Sequence, residues 1–404
     1  MNIFNPRTFS TDWEMLVVDK LNRCVGVDKL MGFAGTLEAE LGLPIQIDWN
    51  SLEFALGINR TFTGIWERIV KATDRAQQLL REYDLDLYPA GSHPYEPMYN
   101  SSHIHVGTLY DESAGIHLEN QLYKFVPAFA ALAANSAVAS LVRGQYKSYR
   151  VRNNAYGCTR PWSARDPHLS QRTWGSDAGP KVYGAPTLEV RIPDCASSRR
   201  FKAELATFIA AFVHCQGEQI EECQPTPEEY REFCINRWAA AKYGLQATFR
   251  WDGKAKPVTE LLGEMLDACA SGLQALEAKR DDFVLINTMC AKRLCQADFT
   301  IEVAKRYPEP YGFASAYGKL IRHWDVFDTY LSSAPALDPV PAPDDDAVLQ
   351  EHVKFIGEGT HFYRLRDVMY FPPPAADAVV DDLVRQGMIT REVTPDRGIV
   401  LSRI

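Results

Sequence analysis

Residues 101–109 read Ser101-Ser102-His103-Ile104-His105-Val106-Gly107-Thr108-Leu109. Polar and apolar side chains alternate, which is the period of a half-buried β-strand. His103 and His105 therefore project from one face, and Ile104 and Val106 from the other. Asp12-Trp13-Glu14 repeats the pattern with two acids, and Thr187-Leu188-Glu189-Val190-Arg191-Ile192 repeats it with an acid and a base. Strands that carry charge on one face and hydrocarbon on the other suit an antiparallel sheet with one covered side.

Between these strands the periodicity changes. Ile65, Ile69, Ala72, Ala76, Leu79 and Leu80 follow helical spacing and predict a helix over Thr61 to Tyr83. Leu118 to Val142 reads as one long buried helix, and Arg200–Glu222, Pro227–Gly244, Pro257–Lys279 and Asp282–Tyr307 as further helices. Strands and helices do not alternate regularly, so the expected class is α+β with an antiparallel sheet.

The 404 residues are 46% hydrophobic and 24% charged, the composition of a folded protein. The net charge is −9, which argues against nucleic acid as a partner because phosphate backbones need a basic footprint. No apolar run is long enough to span a membrane, and Met1 to Asp12 lacks the pattern of a secretory signal. Nine scattered cysteines without a Cys-x-x-Cys pair read as reduced thiols, and the expected location is the cytoplasm.

Ser332 to Asp346 is proline-rich and reads as a stiff, solvated linker. It divides the chain into a catalytic domain (1–333), the linker (334–346) and a small C-terminal unit (347–404). In that last unit, helices over Ala347–Ile356, near Tyr363–Met369 and over Ala375–Gln386 lead into a hairpin of Ile389–Val393 with Ile399–Ile404. This arrangement resembles a winged helix. Residues 344–404 hold eleven acids and seven Lys or Arg, so a DNA-binding role for the tail is disfavoured.

Like charges paired on one strand face, as Asp12 and Glu14 are, call for a cation between them. Glu53, inside the apolar run Ile45 to Leu56, is costly unless paired or bound to metal. His-x-His on a strand is a common arrangement for metal or phosphate. Arg150, Arg152, Arg160, Arg165, Arg172 and Lys181 make 150–181 locally basic, which suits an anionic substrate. Gly107 suits close approach of a ligand. Carboxylates with arginines suit Mg-ATP held by more than one ion, since Mg²⁺ prefers carboxylates and substrate phosphates. No P-loop, kinase or Gly-x-Ser-x-Gly motif is present.

In order along the chain come Asp12-Trp13-Glu14, Glu53, His103-Ile104-His105-Val106-Gly107, Ala133-Ala134-Asn135-Ser136, Ser148-Tyr149-Arg150 and Thr187 to Asp194. Over residues 8–330 this set resembles the glutamate–cysteine ligase family of bacterial and plant carboxylate–amine ligases, within the glutamine synthetase superfamily. The resemblance departs at Gln46, where the family often carries Glu.

The resemblance implies a curved antiparallel sheet forming a funnel, with ATP, two or more Mg²⁺ ions and small amino-acid substrates meeting inside. By that likeness Asp12, Glu14, Glu53, Glu189 and one imidazole, His103 first, would hold metal. Arg150, Arg191 and Glu53 would be catalytic, and His105, Arg150, Arg191 and Lys181 would contact the nucleotide. The expected reaction is amide formation, of γ-glutamyl type, through an acyl phosphate, in which positioning and charge neutralisation do the work. Two alternatives remain open: the same chemistry on a peptide or protein docked by the C-terminal unit, and a metal-dependent amide hydrolase. A homo-oligomer is compatible with the sequence, and a membrane partner is not expected.

Overall fold

Strand β1, Phe4–Asp19, carries both kinds of face. Trp13, Met15 and Val17 are fully buried on one side, while Asp12 and Glu14 lie between them on the other. The chain is described by a computed structural model at residues 4–96, 98–109, 111–139, 142–143, 145–153, 177–181, 186–223, 226–344, 348, 363–364, 384–385, 389–394 and 398–403.

After β1 come helix α1 (Val27–Leu41), a hairpin of β2 (Ile45–Asp48) and β3 (Ser51–Ala55), helix α2 (Phe62–Arg81), β4 (Leu85–Tyr88) and β5 (Ser102–Leu109). Thr61 caps α2, its hydroxyl accepting from the Gly64 amide at 3.0 Å. The apolar run 45–56 divides at Trp49-Asn50, where Trp49 takes a left-handed φ of 53° and the chain reverses.

The expected single helix over 118–142 is instead α3 (Glu112–Leu122), a 3₁₀ turn and α4 (Val126–Ala133). Pro127, at the start of α4, has no amide hydrogen to continue the preceding helix. The chain then passes through β6 (Val138–Ala139), β7 (Val142–Arg143), α5 (Tyr149–Asn153), β8 (Ala178–Lys181), β9 (Thr187–Val190) and α6 (Arg199–Gly217).

The main sheet runs β2-β3-β1-β5-β9-β8, with β4 also paired to β1. Every pair in it is antiparallel. Helix α6 packs on β1 and β5, α2 packs on α6 and β4, and α1 packs on β2. Together they cover the apolar face and leave the charged face open to chemistry. The fold is therefore mixed α and β with an antiparallel sheet, as expected.

Gly107 has φ +67°, and a Cβ there would meet the Phe4 ring at 2.5 Å and the Asn5 carbonyl at 2.6 Å. Its smallness serves the β1–β5 contact, beside the register shift between Asn5 and Phe9, rather than the approach of a ligand.

Further helices follow expectation in position but break more often. Helix α7 is Pro227–Tyr243. The stretch 257–279 holds α8 (Val258–Ala268) and α9 (Ala270–Ala275). The stretch 282–307 holds α10 (Val284–Lys292) and α11 (Gln296–Arg306).

The proline-rich segment is not a free tether. The Leu337 amide donates to Lys292 O at 2.8 Å and the Val340 amide to Gln246 O at 2.8 Å. Asp338 O accepts from Gln246 at 3.0 Å and Pro343 O from Arg250 at 2.9 Å. Beyond it the hairpin Ile389–Thr394 with Gly398–Arg403 forms as expected. Tyr363–Arg364, expected in a helix, is a short strand paired to the second arm. The helices expected over 347–356 and 375–386 lie largely outside the described residues.

Candidate functional site

Strand registers gather the charged side chains. Glu14 of β1 stands opposite Glu53 of β3, Asp12 opposite His103 of β5, and His105 opposite Glu189 of β9. Directly opposed residues in an antiparallel pair share a face, so six side chains form one patch across four strands. Gln46 extends it, opposite Glu53 on β2. Trp13, between the two acids, faces the core, where its indole NH points at Cys195 Sγ at 3.3 Å.

Glu14, Glu53 and His103 each bring one ligand atom within 4.8 Å of the others. Glu14 Oε2 accepts from the Ser101 amide at 2.6 Å, and its Oε1 lies 3.5 Å from His103 Nε2. The other ring nitrogen of His103, Nδ1, lies 3.4 Å from Glu189 Oε1. His105 is engaged differently: Nε2 lies 2.8 Å from Asp12 Oδ2, and Nδ1 lies 3.0 Å from Thr187 Oγ1. Of the two imidazoles, His103 thus joins the carboxylates of Glu14 and Glu53, and His105, also 3.6 Å from Glu189 Oε1, pairs with Asp12.

The electrostatics follow from burial and crowding. Burial, then the charges of Asp12, Glu14 and Asp48, push the Glu53 carboxyl up to about 8. Burial also raises Glu14, against the pull of Arg150 and Ser101. For Asp12 burial is outweighed by the hydrogen bond and charge of His105, helped by Lys181 and Lys202, and the net shift is downward. Burial, then Arg191 and Arg150, hold His103 well below the usual histidine range, so it is a neutral imidazole, as a metal ligand must be.

The cations lie toward the other edge of the sheet. Arg191, just past β9, donates to Glu189 Oε1 at 2.8 Å and keeps about a quarter of its side chain exposed. Lys181 is half-buried on β8, and its charge reaches Asp12 and Glu53.

Arg150 behaves otherwise. Its guanidinium donates to the backbone carbonyls of Ile192 at 2.9 Å, Pro193 at 3.4 Å and Arg191 at 2.8 Å. It fastens the end of β9, and its Nη atoms are engaged in that task. Asp194 gathers the remaining motifs: its carboxylate accepts from the Asn135 amide at 2.8 Å, Ser136 Oγ at 2.8 Å and Ser148 Oγ at 3.1 Å. The Asn135-Ser136 and Ser148-Tyr149-Arg150 motifs thus meet in a buried knot that positions the strand carrying Glu189 and Arg191. Arg160, Arg165 and Arg172 lie outside the described residues.

Several contributors carried no separate signal in the sequence. Ser101, Thr187 and Asp48 are ordinary polar residues until the register places them. Lys202 is fully buried in a helix whose residues from Phe201 to His214 are all buried. A lysine within so apolar a stretch was the available clue.

Comparison with known proteins follows the same direction. The model of the family described as Glutamate-cysteine ligase family 2 (GCS2) matches residues 173–284, which include Lys181, Glu189 and Arg191. A protein of Mycolicibacterium paratuberculosis with the provisional name glutamate–cysteine ligase 2 is 25% identical over 323 residues, spanning 65% of this chain and 82% of its own. A similarly named protein of Nocardia farcinica is 26% identical over 321 residues, 65% of this chain and 82% of its own.

Among solved structures, a bifunctional glutathione synthetase from Pasteurella multocida aligns with a TM-score of 0.55 at 12% identity, covering 80% of this chain and 53% of its own. A glutamate–cysteine ligase from Francisella tularensis, in complex with AMP, aligns with a TM-score of 0.53 at 10% identity, covering 81% of this chain and 91% of its own. At these identities the two structures establish a shared fold. The likeness read from the motifs is borne out. Among the described residues no helix is long and apolar enough to cross a membrane.

Proposed function

We propose that this chain, a relative of the glutamate–cysteine ligase family 2 proteins, activates a carboxylate by phosphoryl transfer from ATP and joins it to an amine. At the coarser level it is an ATP-dependent ligase that forms a carbon–nitrogen bond, of the glutamate–cysteine ligase type. The observation that carries the finer reading is the trio Glu14, Glu53 and His103, within 4.8 Å of one another, with Arg191 on the same sheet face.

The trio fits a divalent cation. Two hard oxygen donors and a neutral imidazole converge, and Glu53 is held at about 8 by burial and by neighbouring acids whose crowding a cation relieves. Glu14, Glu53 and His103 would hold a magnesium ion, with Asp12 and Glu189 beside them to complete a second position. When bound, Mg²⁺ neutralises phosphate charge and orients the γ-phosphoryl group.

The protein's own residues do the rest. Arg191, its guanidinium steadied by Glu189, presents a planar fork to phosphate or carboxylate. Lys181 adds a second positive charge at that edge. His105, tied to Asp12 and Thr187, fixes the centre of the patch. A carboxylate oxygen attacks the γ-phosphorus and ADP leaves. The amine then attacks the acyl carbon and loses a proton to the departing phosphate, which carries away the former carboxylate oxygen. These steps need positioning and charge balance rather than a protein nucleophile. Arg150 supports the site through the backbone of β9.

The division at 334–346 and a winged-helix-like C-terminal unit belong to the same proposal, supported by the three-stranded pairing of 363–364, 389–394 and 398–403. A curved funnel, with the charged face as its floor, likewise accompanies it.

The test is calorimetric titration with Mg-ATP. Wild type should bind, and Glu14→Gln and Glu189→Gln should weaken binding at least tenfold while melting as wild type does. Absence of nucleotide binding by wild type at millimolar Mg²⁺ would remove the reading.

A further inference from the structure

Behind the carboxylates, on the covered face of the sheet, lies a lysine that the mechanism does not use. Lys202 of α6 has no exposed surface. Its Nζ donates to Thr11 Oγ1, and that hydroxyl donates to His103 O at 2.6 Å. The Nζ also stands 5.8 Å from the centre of the Trp13 ring. Thr11 and Trp13 alternate along β1 with Asp12 and Glu14. One strand's thickness therefore separates the ammonium from two acids of the site.

A buried ammonium is expensive unless a carboxylate pairs with it. Among the described residues no carboxylate forms an ion pair with Lys202. A hydroxyl and an aromatic face are its near partners, and neither supplies a full negative charge. Burial draws Lys202 down to about 7, with Cys195, Asp12 and Glu14 holding it up. What compensates the charge lies through the strand: the acids of the site itself.

Resting on the cation site proposed above, we infer that Lys202 is a positioning residue that serves as the built-in counter-charge of the carboxylate patch. It offsets part of the negative charge of Asp12 and Glu14 while the site is empty. It also opposes a bare divalent ion, so that the cation is held firmly only when it arrives with the phosphates of its nucleotide. The Thr11 link to the His103 carbonyl additionally fastens β1 to β5 beneath the trio.

The experiment is a Mn²⁺ titration of the full chain without nucleotide, followed by electron paramagnetic resonance at pH 6, where the ammonium is charged. Lys202→Met keeps the volume and removes the charge, and Lys202→Arg keeps the charge. The Met variant should bind Mn²⁺ about tenfold more tightly than wild type, with a melting temperature equal or higher. The Arg variant should stay within about threefold of wild type. If Lys202→Met does not fold, Lys202→Gln is read in the same way. Equal Mn²⁺ affinity in wild type and the neutral variant would overturn this inference and leave the cation site standing. Failure of wild type and all variants to bind Mn²⁺, with or without ATP, would remove the cation site and this inference with it.

Discussion

Asp12 is paired through the backbone ladder with His103, yet its carboxylate reaches the next histidine on that face, His105, at 2.8 Å. The diagonal contact divides the work of the two imidazoles. His105 is tied down by Asp12 and Thr187, while His103, whose Nε2 lies 2.6 Å from Ser101 Oγ, sits among Glu14, Glu53 and Glu189.

That division makes the two histidines separable by experiment. His103→Gln should weaken Mn²⁺ affinity at least tenfold in the presence of ATP, since it removes a ligand of the trio. His105→Gln should weaken it by less than about threefold. Equal losses in the two variants would contradict the assignment.

The Glu53 carboxyl also sets a dependence of stability on pH. Its folded value of about 8 lies above the ordinary glutamate value of 4.5. Between these values the folded state holds a proton that the unfolded state has lost, so this group's contribution to stability falls as pH rises from about 5 to 8. The metal-free melting temperature of wild type should decline across that range by several degrees more than that of Glu53→Gln. Saturating Mg²⁺ should shrink the difference. Thermal melts at pH 5, 6.5 and 8 check it, and parallel declines in the two proteins would contradict it.

Arg150 and Arg191 should respond differently to substitution. Arg191→Lys should keep the wild-type melting temperature and lower turnover at least tenfold, because a point charge does not replace a bidentate fork. Arg150→Met removes hydrogen bonds to three part-buried backbone carbonyls, and buried groups left unsatisfied cost up to about 1–3 kcal/mol each. Its melting temperature should drop together with its activity. Melting curves beside a turnover assay separate the two.

The charged face was legible in the sequence because its period is two. Asp12 with Glu14, His103 with His105, and Glu189 with Arg191 each share a strand face by alternation alone. Glu53 stood out as an acid in an apolar run, and its partner across the hairpin, Gln46, followed once the register was known. What alternation does not encode is who touches whom. The choice of His105 by Asp12 is a diagonal contact set by side-chain length. The partners of Arg150 are backbone carbonyls, which leave no trace in residue type, so it read as a phosphate ligand. The break of the 118–142 helix was written in Pro127 but masked by the Ala-rich apolar run around it. The linker read as solvated from its prolines, whereas its carbonyls and amides are held by Gln246, Arg250 and Lys292.

Those contacts give a prediction for truncation. A chain ending at Asp344 keeps the hydrogen bonds that Leu337, Asp338, Val340 and Pro343 make with the body, and one ending at Ser333 loses them. With a net contribution of about 0.5–1.5 kcal/mol per bond, the shorter chain should melt a few degrees lower. Identical melting temperatures would show that the segment contributes nothing to the body it lies on.

The central claim is that the carboxylate is activated by phosphorylation before the amine attacks. The most direct measurement uses L-glutamate labelled with ¹⁸O in its γ-carboxylate, with cysteine, Mg²⁺ and ATP, and mass analysis of the released phosphate. The account predicts one ¹⁸O atom transferred to inorganic phosphate for each amide formed and each ADP released. Amide formed with unlabelled phosphate, or without consumption of ATP, would contradict it.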